Sequence, residues 1–152
     1  MTVGGQLKYI PTAPAQTVEA SDLPAMRATL CSYENWFGPY HPNTLRMLVE
    51  AGVAHAEHGE PGTARRMLER AIRDLGRTLG WEHDLRLRAM GALREVCARQ
   101  GDWARAAEAQ RELLECRKRR FGCDHPETVR ARAELGSILL EVPLGQMRSR
   151  EV

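Results

Sequence analysis

The chain has 152 residues, 43% of them hydrophobic and 28% charged, with a formal net charge of +2. That length suits one domain with a continuous core, and the near balance of 22 basic and 20 acidic residues speaks against a nucleic-acid-binding protein, which normally carries a strongly basic face. No stretch approaches the roughly 20 apolar residues of a membrane span, and Met1 to Gln16 lack the apolar core of a signal peptide, so a cytoplasmic protein is expected. Aromatic residues are only 5%, while Ala, Leu, Arg and Glu, all strong helix formers, dominate. The expected class is all-α.

In chain order, residues 1–20 show no helical pattern and are expected to be irregular. Residues 21–36 predict a first helix with Ser21 or Asp22 as N-cap and Met26, Leu30 and Tyr33 on its apolar face. Leu45, Leu48, Val49, Gly52 and Ala56 recur at helical spacing and predict a second helix, ended by the run His58 to Gly62. A third follows with Ala64, Met67, Leu68, Ala71, Ile72 and Leu75. A fourth carries Leu87, Met90, Leu93, Val96 and Cys97 and ends at a Gly101–Asp102 turn. Trp103, Ala106, Leu113 and Leu114 mark the fifth. Val129, Leu135, Ile138 and Leu139 mark the sixth, which is expected to stop at Pro143 because proline cannot continue a helix interior. Residues 21–141 therefore read as one helical domain and 142–152 as a tail; the initial Met and the two tails predict a complete small protein.

The elements repeat. Phe37, Leu79 and Phe121 are 42 residues apart, and so are Gly38, Gly80 and Gly122, then His41, His83 and His125, then Arg46, Arg88 and Arg130. Pro42 and Pro126 suit the first helical position, and the glycines suit the residue just past a helix. The junction (F/L)G-x-x-H-P-x-T, the small residues Gly52, Gly136, Ala64 and Ala106, and Trp103 after the Gly-Asp turn together resemble tetratricopeptide repeats. The 42-residue spacing is similar to the kinesin-light-chain variant. The resemblance covers residues 21–141 and implies a right-handed α-solenoid of helix pairs in the order B-A-B-A-B-A, whose function is expected to be protein binding. Arg94 at a small position and Gln110 at a bulky one depart from the pattern in the second unit.

In the tetratricopeptide register Arg46, Arg88 and Arg130 occupy the second position of each helix A, the helix that lines the concave groove. Packed helices lie roughly 8–10 Å apart, so three guanidiniums are expected to form a ladder that grips carboxylates of an acidic peptide. Val49, Val53, Glu95 and Arg99 are the expected groove neighbours; the alternative is that the arginines pair with Glu50, Glu95 and Glu134. A repeat stack needs polar or partnered ends, and Leu135, Ile138, Leu139 and Leu140 form an apolar terminal face. That face predicts self-association, most simply as a two-fold dimer, unless Leu7, Tyr9 and Ile10 cover it. The five histidines show no recognisable metal-ligand spacing, and the three in the turns are expected to cap helices. Cys31 and Cys97 are expected as buried thiols within helices, while Cys123 lies in an exposed turn next to His125 but forms no evident dyad. No phosphate loop, nucleophile elbow or zinc-protease motif is present, so no catalytic residue, metal or cofactor is predicted. The leading function is a non-catalytic adaptor for a peptide or protein. A homo-oligomerising structural repeat and a small-molecule enzyme on a helical scaffold are the alternatives, to be separated by whether the cavity is an open groove or an enclosed pocket.

Overall fold

A computed structural model describes residues 22–148; the segment 1–20 and the end of the tail expected above lie outside them. Six helices follow in order: α1 (Leu23–Phe37), α2 (Pro42–Glu57), α3 (Pro61–Thr78), α4 (Asp84–Arg99), α5 (Trp103–Phe121) and α6 (Pro126–Arg148). Each packs chiefly on its neighbours in sequence, the signature of a solenoid whose units touch only adjacent units. The helices α2, α4 and α6 form the A row, and α1, α3 and α5 the B row. α2 touches α4 directly, whereas α3 and α5 scarcely meet.

The helix ends follow from local chemistry. Asp22 Oδ1 accepts from the Ala25 N–H at 3.0 Å, and Asp102 Oδ1 from the Arg105 N–H at 3.2 Å, the ordinary N-cap geometry. The A helices use histidine instead. Nδ1 of His41, His83 and His125 accepts from the backbone N–H of Asn43, Leu85 and Glu127, each at 3.2 Å. In the first and third turns the ring also stacks on the phenylalanine four residues earlier, with centroids 4.7 Å apart for Phe37–His41 and 4.6 Å for Phe121–His125. Gly38, Gly80 and Gly122 stand just before these caps with φ of 87°, 98° and 90°, a region costly for any residue with a Cβ.

The core is continuous along the stack. Leu45, Leu48, Leu68, Ala71 and Leu75 are fully buried between α2 and α3. Leu93 passes this core on to Cys97, Ala106, Ala107 and Ile138, and Ile72 links it to Met90, Leu113 and Cys116. Two expectations need correction. Cys31 is exposed on the outer side of α1 and contributes nothing to the core. The sixth helix does not stop at Pro143 but runs to Arg148. Proline there removes one backbone donor to the carbonyl of Leu139, and since Leu139 and Leu140 are exposed, water can take that donor's place.

Candidate partner-binding surface

Arg46, Arg88 and Arg130 lie near the starts of α2, α4 and α6, and all three are exposed. Arg130 makes a loose pair with Glu127 one turn earlier, at 3.5 Å, and keeps two-thirds of its side chain in water. Arg46 and Arg88 have no ion pair among the described residues; Glu50, one turn after Arg46, makes none either, and the other two glutamates are engaged elsewhere. Glu95 pairs with Arg99 on its own helix, and Glu134 takes Arg94 at 2.7 Å. Of the expected groove neighbours, Glu95 and Arg99 are exposed and Val53 is half-buried. Val49 is a correction: it is wholly buried, because its position on α2 faces the core rather than the groove.

The departures of the second unit resolve into a polar network. Gln110 is fully buried; its Nε2 donates to the Ala131 carbonyl at 2.8 Å and to Glu134 Oε2 at 3.0 Å, and Arg94 donates to the same oxygen. Glu134 thus ties α4, α5 and α6 together. A second departure went unremarked in the sequence. Thr44 and Thr128 occupy one column of the repeat, and Arg86 stands between them. Arg86 is almost completely buried and lies 4.6 Å over the Trp81 ring. It donates to the Trp81 carbonyl at 2.9 Å and to Glu112 at 3.3 Å. Gly76 makes room for it, since a Cβ there would sit 3.4 Å from both the arginine Nε and the indole. The break in the threonine column was the available signal.

The B-row side carries a hollow of about 650 Å³ where α3 and α5 diverge over α4. Ile72, Met90, Leu93, Cys97 and Ala109 floor it, while arginines and glutamates from α3 and α5 rim it. It is an open groove, not an enclosed pocket. Burial pushes the Cys97 thiol above its ordinary value, and the nearby Asp102 carboxylate adds to this, so Cys97 is a poor nucleophile. Beside the groove, a hydrogen bond from Arg120 holds the Asp84 carboxyl below the usual range and clamps the start of α4 to the end of α5. The histidines have structural duties: three cap helices, His55 Nδ1 contacts Glu60 at 2.9 Å, and His58 Nδ1 contacts the Ala54 carbonyl at 2.8 Å.

The terminal face is only partly as expected. Ile138 is buried, and Leu135 packs partly buried beside it on the cluster of Cys97, Ala106 and Ala107, so both serve the core. They point inward because α6 is itself packed on α5. Leu139 and Leu140 remain exposed, at 41% and 74%. No described helix is long and apolar enough to cross a membrane.

The tetratricopeptide repeat family profile matches residues 96–127, from the end of α4 through α5 to the third histidine cap. No curated protein matches the sequence. Among solved structures, a putative kinesin light chain from Podosopora anserina with nearly identical TPR-like repeats superposes with a TM-score of 0.71 at 19% identity, covering 80% of this chain. A point variant of the same protein gives 0.70 at 19% identity with the same coverage. The chain spans 57% of the length of each of these structures, and at that identity the likeness is one of fold. Residues 96–127 thus carry one tetratricopeptide repeat, and the stacked helix pairs around it share the fold of TPR-like repeats.

Proposed function

We propose that this chain is a non-catalytic adaptor that binds an acidic peptide or protein segment along its A row, with Arg46, Arg88 and Arg130 as the contact residues. Tetratricopeptide repeats mediate protein–protein interaction, which supports the class. The observation that carries the ligand is the recurrence of an exposed arginine in one column of three successive A helices, none of them paired to a carboxylate on another helix among the described residues. Exposed arginines left without cross-helix partners add little to stability and retain their capacity for bidentate recognition. The open form of the B-row groove supports a binding protein over a small-molecule enzyme.

The test uses a fluorescein-labelled 12-residue peptide with Glu at every third position among prolines. In polyproline II its carboxylates share one face about 9 Å apart, close to the spacing of packed helices. Anisotropy should show saturable binding that weakens at least tenfold in an Arg46→Ala, Arg88→Ala, Arg130→Ala triple variant and weakens with added salt. Equal affinity in the triple variant, with its fold intact by circular dichroism, overturns the ladder as the site. A second reading, self-assembly, is favoured by the exposure of Leu139 and Leu140 on the last helix.

A further inference from the structure

We infer that the outer face of α6 receives α1 of a second copy of this chain, so that copies join head to tail and each junction completes a helix pair. The inference rests on the self-assembly reading and names its occupant and symmetry. In the first unit Leu45, Val49 and Ala56 of α2 belong to the core shared with Leu68, Ala71 and Leu75 of α3, and Gly52 lies on the same stripe of α2. Gly52 is the point of closest approach: a Cβ there would lie 2.9 Å from Leu68 Cγ and 3.5 Å from Met67 Cβ. Two repeats later the same columns on α6 hold Val129, Ala133, Gly136 and Leu140. There the row is open. Val129 is 42% exposed and Leu140 74%, and nothing lies within 4 Å of a Cβ built at Gly136. α6 therefore carries an A face of the kind that α2 closes with a B helix, continuing the internal series of A–B interfaces by one step.

The occupant follows from the other end of the described chain. α1 is a B helix in register with α3; it packs on α2 and is tied to α3 by the Glu34–Arg70 ion pair at 2.7 Å, without a helix A of its own among the described residues. The columns that meet Gly52 from α3, Met67 and Leu68, are Ala25 and Met26 on α1; Met26 is already buried against α2, which leaves Ala25 as the half-buried edge of the free face. The side of α1 turned away from α2 also presents Ala28 and Trp36, the indole being 63% exposed. Because the two faces differ, the contact is heterologous. It propagates into rings or open chains rather than ending at a two-fold dimer.

The experiment measures molar mass by light scattering over a range of concentrations, on the full chain and two charge-blocked variants. Leu140→Glu blocks α6, with Gly136→Arg as a second block at a position with open space around it. Ala28→Arg blocks α1 at an exposed site. Head-to-tail joining predicts that the wild type grows past twice the monomer mass, that each variant alone is a monomer with unchanged helicity, and that an equimolar mixture of an α6-blocked and an α1-blocked chain forms a one-to-one dimer. The mixture is decisive, since each variant keeps the face that the other lacks. A wild type that plateaus at a dimer, with blocked variants that stay monomeric on mixing, overturns this inference and leaves two-fold self-assembly standing. A monomeric wild type at millimolar concentration overturns both.

Discussion

The α2–α3 pair and the α4–α5 pair occupy the same place in successive repeats, yet they are held by different chemistry. The first is an apolar close approach, with Leu68 seated against the bare backbone of Gly52. In the second, the same two columns hold Arg94 and Gln110, which meet not each other but Glu134 on the next helix. The first pair draws its stability from apolar area and from contact distances that tolerate no added atom. The second exchanges that contact for a network whose net contribution is small, because every group in it also hydrogen-bonds to water when unfolded, and Gln110 Oε1 is left buried without a partner. What the network supplies is register. Glu134 accepts from α4 and α5 at once, so it fixes α6, which has no helix after it among the described residues to clamp it.

The largest expected difference between the pairs comes from truncating their central side chains. Leu68→Ala should cost about 2–5 kcal/mol, the range for a fully buried leucine whose site collapses only in part. Gln110→Leu should change stability by no more than about 1 kcal/mol, because it removes the orphaned amide oxygen together with two hydrogen bonds. Denaturant midpoints measure both. If Gln110→Leu proves as damaging as Leu68→Ala, the network is an energetic mainstay of the second unit and the contrast fails.

Glycines sharpen the comparison at smaller magnitude. Gly52→Ala gains helix propensity but drives a Cβ into Leu68 Cγ, the branching carbon of a wholly buried side chain rather than its flexible tip, so a net loss of about 1–3 kcal/mol is expected. Gly136→Ala makes the same change in the same column with nothing in its way, and should raise stability by about 0.5–1 kcal/mol through helix propensity alone. Opposite signs at equivalent positions would show that α6 presents an open A face. A loss at Gly136 would mean that something covers that face in solution.

Much of this was legible in the sequence because the repeat is its own alignment. Three copies of a histidine before a helix, three glycines before the histidines and the alternation of long and short periodic runs placed all six helices and anticipated the caps. Columns alone do not tell which way a side chain faces. Val49 looked like a groove residue and Ile138 like a surface one, although both face the core, since an apolar residue beside an exposed stripe has the same spacing on either face. Arg94 and Gln110 looked like defects because their partner, Glu134, is 24 residues or more away on another helix, and sequence separation hides a three-helix junction. Arg86 was hidden differently: a charged residue near a helix start reads as solvated, and only the space left by Gly76 under Trp81 allows its burial.

The contrast extends to two further columns, where His55 and Glu60 of the first unit become Cys97 and Asp102 of the second. His55 and Glu60 are in contact, whereas Cys97 lies buried at the groove floor, and burial followed by the Asp102 carboxylate pushes its thiol pKa up. Cys97 is therefore a reporter of the α4–α5 pair and of its junction with α6. In native protein Cys31 and Cys123 should alkylate rapidly with iodoacetamide, Cys116 slowly, and Cys97 slowest, as peptide mass spectrometry would resolve. The folded form holds the Cys97 proton more tightly than the unfolded chain, so its contribution is full below the unfolded thiol pKa of about 8.5 and declines as pH rises above it. Labelling of Cys97 should thus accelerate between pH 8 and 10 more than exposed thiolate formation explains, because opening becomes easier as well. In the Leu68→Ala protein its rate at pH 7 should stay near that of the wild type if neighbouring units open separately. An equal acceleration of Cys97 in that variant would show that the apolar pair and the polar pair, despite their different chemistry, unfold as one cooperative unit.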